Sequence, residues 1–257
     1  MWTIVGKNLK NMTNNIGILL YLSIIPIFQI YITDKIIKDA SKTIIPVQSI
    51  FSSTKILSKS SNSNMQYFAI GILVQFILIA GVVAGAMVTE EREEKTLLRL
   101  FVAPIKRYSI VSAIFISNSI IIFFITFMII CVCGSIFKIA WASSIINLGV
   151  VSLIAVFVAS SFALLIASIF KSSKIAGGVM SVIIIMMTFA SGAYGDMNKN
   201  SFISKLTLNK WINNCYVALM DGKSLSEMIY SISVLVIISI IFLLVSIIVF
   251  RKEKVYE

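Results

Sequence analysis

Seven of the ten residues from Glu90 to Arg99 are charged: Glu90, Glu91, Arg92, Glu93, Glu94, Lys95 and Arg99. Long runs nearly free of charge lie on both sides. Acids and bases at this density can form ion pairs or present a charged face to a partner. The rest of the chain offers little for catalysis. It has no histidine, which removes imidazole ligands and His-dependent proton transfer. Its aspartates, Asp34, Asp39, Asp196 and Asp221, all fall outside the apolar runs, so no paired acids sit there for an intramembrane aspartyl enzyme. No G-x-x-x-x-G-K-[ST] phosphate loop is present, so any ATP is bound elsewhere. The chain reads as non-catalytic, with no cofactor or metal of its own.

A second set of candidates is polar but neutral. Gln29, Gln75, Asn118, Thr126 and Asn147 interrupt the apolar runs. Charged residues there would be functional suspects by default, and none occurs, which argues against a carboxylate relay for protons or ions. The neutral five are candidates for a substrate path, although each also suits a hydrogen bond between helices.

What positions these residues is a set of membrane helices. Of 257 residues, 58% are hydrophobic and 13% charged, against about 25% charged in soluble domains. Six stretches are long enough to cross a bilayer, near 16–33, 65–89, 110–137, 139–170, 175–195 and 228–250. Their apolar residues show no period of two, which excludes a barrel. The expected fold is an all-α integral membrane protein. Six crossings place both termini on one side. That side is expected to be cytoplasmic, because all four arginines then fall inside, in the shorter and more densely charged segments. Lys7 and Lys10 precede the first run as in a signal peptide, but Pro26 and the absence of a cleavage pattern speak for a retained helix.

The net charge of +11 is spread over every loop, which suits a membrane protein better than a nucleic-acid binder. The three cysteines give no disulfide framework. In residues 1–15, Trp2, Val5, Leu9 and Met12 fall at helical spacing, as in an interfacial helix. A polar loop is expected from Asp34 to Asn64. Gly81 and Gly85 form a small-xxx-small pair, open to packing within the chain or to a dimer seam. Lys138 marks a tight hairpin. From 191 to 222, Phe202, Ile203, Leu206, Trp211 and Ile212 interleave with lysines, as in an external re-entrant hairpin.

The charged segment, 90–104, reads as a short helix with acids in its first turn, in accord with the helix dipole. Glu91 and Lys95 are spaced to pair, and Pro104 ends it. A plain solvated loop is the simpler alternative to a docking helix. In "EREEKTLLRLFVAPIKRYSI" the chain resembles the coupling-helix region of ABC-2 type transporter permeases, whose pattern is E-R-x-x-G-T-x-x-x-L-x-x-x-P. Glu91, Arg92, Thr96, Leu100 and Pro104 match, and Lys95 stands where the family has glycine. The resemblance extends over nearly the whole chain.

It implies six spans, an interfacial helix, a cytosolic coupling helix and a re-entrant hairpin between spans five and six. It also implies two permease subunits, identical or similar, in a bacterial cell membrane. Two separate ATP-binding subunits, which hold the ATP and Mg, would receive Glu90, Glu91, Arg92, Glu94, Thr96, Leu97, Leu100, Phe101 and Pro104. The expected activity is export of a hydrophobic or amphipathic substrate, with small lysine-rich permeases for antimicrobial or toxin-like peptides the best match. The competing expectations are an ATPase-independent channel or secondary transporter, a drug or ion efflux permease, and a docking scaffold.

Overall fold

The computed structural model describes residues 2–42, 61–95, 107–142, 144–194 and 202–252. All regular structure among them is helical. In chain order the helices are α1 (Trp2–Asn14), α2 (Ile16–Lys42), α3 (Ser61–Glu93), α4 (Arg107–Phe137), α5 (Ile145–Ile169), α6 (Ser173–Ala190), α7 (Phe202–Leu206), α8 (Leu208–Met220) and α9 (Ile229–Lys252), with a 3-10 turn at Leu225–Met228 before the last. Six of them, α2 to α6 and α9, are long and apolar enough to cross a membrane. The amphipathic α1 packs against α4 and α2.

The helix α3 is the axis of the bundle. It touches α2, α4, α5, α6 and α8, and its own residues from Ala69 to Ala84 are almost all buried. Small residues make this possible. A Cβ added at Gly81 would lie 2.6 Å from the Ala159 carbonyl oxygen, and one at Gly85 would lie 2.6 Å from that of Ala163. The glycine pair therefore seats α5 within the same chain, which settles the packing question against a dimer seam. Because lipid tails are as apolar as leucine, such close approach is what holds membrane helices together. Hydrogen bonds between helices add to it: Ser119 in α4 donates to Ser160 in α5 at 2.9 Å, and Ser152 in α5 pairs with the Tyr216 hydroxyl of α8 at 3.0 Å.

Several boundaries differ from the sequence expectation. The first span runs through Pro26 without a break and continues to Lys42, so the start of the presumed polar loop is helical. The fourth span begins at Ile145 rather than 139. Lys138 adopts a left-handed φ of 52°, which ends α4, and Trp141 folds back to donate from its indole Nε1 to the Ile130 carbonyl at 3.0 Å. The segment after α6 becomes α7 and α8, and α8 buries Leu208, Ile212, Tyr216 and Leu219 against the core.

The largest correction falls on the charged segment. Glu90 to Glu93 form the last turn of α3, not the first turn of a new helix. Their acids stand at the negative end of a helix dipole, so the dipole argument fails and partners on other helices must hold them. The helix stops because Lys95 turns left-handed, with φ 58°, and Lys95 N–H bonds to the Arg92 carbonyl at 3.1 Å. A left-handed residue just past a helix end is where glycine is strongly preferred, which accounts for the glycine in the family pattern. With Lys95 off the helix, its helical pairing with Glu91 loses its basis.

Candidate functional site

Three consecutive residues at the end of α3 bind three different elements. Successive helical side chains are about 100° apart, so Glu91, Arg92 and Glu93 fan out. The Glu91 carboxylate accepts from Asn11 Nδ2 at 2.9 Å and lies 3.3 Å from Lys7 Nζ, both on α1. Arg92 donates to the carbonyls of Ala167, at 3.1 Å, and Phe170, at 3.4 Å. The Ala167 carbonyl belongs to the last turn of α5, where helix geometry leaves acceptors without partners and favours a cation. Glu93 accepts from the backbone N–H of Ser173 at 3.1 Å and from its hydroxyl at 2.8 Å. Ser173 opens α6, where free N–H groups favour an anion. The triad thus straddles the break at 170–172, holding the end of α5 with one residue and the start of α6 with the next.

Each contact is modest. A helix-terminal charge contributes about 0.3–1 kcal/mol, and an exposed ion pair up to about 1 kcal/mol. Together they fix the base of the connector between α3 and α4 to α1, α5 and α6. Glu90 and Glu94 are exposed at the same end. The other proposed docking residues, Thr96, Leu97, Leu100, Phe101 and Pro104, lie outside the described residues.

The five neutral candidates are spread over α2, α3, α4 and α5. Gln75 of α3 accepts from the Tyr194 hydroxyl, and Gln29 lies on the neighbouring α2. The turn that carries Tyr194 reaches α3 because Gly71 has no side chain; a Cβ there would lie 3.0 Å from the Ala193 carbonyl. Asn118 is buried in α4 near Asn8 of α1, whose Nδ2 donates to Ser117 Oγ at 3.4 Å. Thr126 bonds back to the Ile122 carbonyl of its own helix at 2.7 Å. Asn147, in the first turn of α5, joins neither group. Sequence reasoning missed Tyr194, Asn8 and the pair Asn209–Thr188, joined at 2.6 Å. A polar residue at the edge of an apolar run was the available signal. No group of three or more His, Cys, Asp or Glu among the described residues is placed to hold a metal.

Six apolar helices around a glycine-lined axis, with charge gathered where the spans end, define a multi-pass membrane protein. A family model described as ABC-2 family transporter protein matches residues 6–248. The chain belongs to that family and is a membrane component of an ABC transporter. No curated protein matches it.

Proposed function

We propose that this chain is the permease subunit of an ATP-driven exporter, acting as a pair of permeases with two copies of an ATP-binding subunit. The connector from Glu94 to Pro104 docks on the ATPase, and the cargo is hydrophobic or amphipathic, with a toxin-like or antimicrobial peptide the favoured class. The observation that carries the docking mechanism is the Glu91–Arg92–Glu93 triad. It ties the base of the connector to α1, α5 and α6 at once, so displacement of the connector moves three helices together. In this reading Glu91 and Arg92 transmit motion, while the residues beyond Lys95 meet the partner. Spans uncharged through their middle, with charges only toward their ends, support an apolar or amphipathic cargo.

The test is co-purification of the tagged chain with a co-expressed ABC ATP-binding subunit. A Leu97→Ala/Leu100→Ala/Phe101→Ala variant is expected to lose the ATPase while remaining monodisperse. Arg92→Gln is expected to retain it but to uncouple ATP hydrolysis from peptide stimulation. Undiminished binding by the triple variant would overturn the docking assignment.

A further inference from the structure

A cleft of about 290 Å³ opens between α1, α3 and α4, at the end of the bundle that carries the triad. Glu90, Glu91 and Glu94 line it, together with the amides of Asn8, Asn11 and Asn118. Glu94 and Ala84, both on the wall, are ten residues apart on one stretch of chain, about 15 Å of helix. The carboxylates therefore stand at the mouth and the apolar α3 surface farther in. Two side-chain atoms of the lining residues are buried without a hydrogen-bond partner: Asn8 Oδ1 and Asn118 Nδ2. Their residues are 8% and 2% exposed. A buried polar atom left unsatisfied is costly, which makes it a pointer to a ligand.

The lining states what such a ligand must offer. Glu90 and Glu94 call for a cation, Glu91 being matched by Lys7, and the acceptor Asn8 Oδ1 calls for a donor. Asn118 Nδ2 in turn calls for an acceptor on the same molecule. A bare metal ion offers no acceptor, and the acids here are not gathered closely enough to coordinate one. Anionic groups alone are repelled by Glu90 and Glu94. We propose that the cleft binds an ethanolamine-type group, a primary ammonium with an oxygen acceptor two carbons away. The ammonium lies toward Glu90, Glu94 and Asn8 Oδ1, and the oxygen accepts from Asn118 Nδ2. An aminophospholipid of the adjoining leaflet carries this chemistry, and so does free ethanolamine. The site shares Glu94 with the docking connector, but its test uses the chain alone and depends neither on ATPase binding nor on the peptide cargo.

The full chain in phosphatidylcholine nanodiscs containing a minor fraction of phosphatidylethanolamine, examined by native mass spectrometry, separates these sources. Wild type is expected to retain phosphatidylethanolamine over phosphatidylcholine by about fivefold. Glu90→Gln/Glu94→Gln, at two exposed positions that leave packing intact, is expected to abolish the preference, and Asn118→Ala to reduce it. Free ethanolamine, added to protein in pure phosphatidylcholine, is the second arm. A rise in thermal midpoint that the double variant lacks, without lipid preference, assigns the site to the soluble amine. Equal retention of both lipids with no response to ethanolamine overturns the proposal, as does a preference or a response that survives in the double variant.

Discussion

The helices α3 and α9 are both long, apolar and uncharged through their middle, yet one is the axis of the bundle and the other its rim. In the most apolar stretch of α3, 89% of residues are buried, against 17% in α9. The less buried helix is the more apolar one. It has no glycine, and Ile237, Ile240, Ile241, Leu244 and Ile248 face outward. In water that pattern would be inverted. In lipid, apolarity no longer separates inside from outside, and the capacity for close approach does. Gly71, Gly81 and Gly85 give α3 three places where a neighbouring backbone lies against it.

Substitutions can break or sharpen this contrast. The largest effect is expected from Gly81→Leu/Gly85→Leu, which drives side chains into the α5 backbone. Overpacking costs about 1–3 kcal/mol at each site, so the folded chain should be lost from detergent extracts by size-exclusion chromatography. A monodisperse variant would remove the glycines from the explanation. Next comes Arg92→Gln, which takes the cation from the last carbonyls of α5, at up to about 1 kcal/mol. Its thermal midpoint should fall clearly below that of Arg92→Lys; equal midpoints would reduce the triad to surface decoration. Ser119→Ala breaks one bond between spans, and about 0.6 kcal/mol is the expected loss, visible as a small shift in chemical denaturation. The smallest effect belongs to the rim: Ile240→Ala/Leu244→Ala on α9 should stay within about 0.5 kcal/mol per site. A large fall there would mean that another molecule covers that face.

The six spans were legible because length and absence of charge are local properties. So was the glycine pair, although only the structure shows that its partner is Ala159 and Ala163 of the same chain. The fourth span was misplaced because residues 139–144 are as apolar as a helix, while the break depends on one left-handed backbone angle at Lys138. The charged segment was misjudged for a different reason. Glu91 and Lys95 invite a local pairing, but the partners of Glu91 and Glu93 lie about 80 residues away in either direction. Contacts of that range leave no periodic trace in a single sequence. The surroundings of the substrate-path candidates were hidden for the same reason: Gln75 meets Tyr194, a turn residue 119 positions away.

The distance between the triad and its partners also orders the life of the chain. Ser173 follows Glu93 by 80 residues, which a ribosome adds in about 4–16 s at 5–20 residues per second. Throughout that interval α3 has been made, while the helix ends that Arg92 and Glu93 will hold do not yet exist. The α5 seat for the glycines is likewise missing. Until then the early spans can pack only on one another, and the bundle closes only after α6 begins. A nascent chain cut short before residue 173 should accordingly be inserted but incompletely packed, and a ready substrate for membrane quality-control proteases.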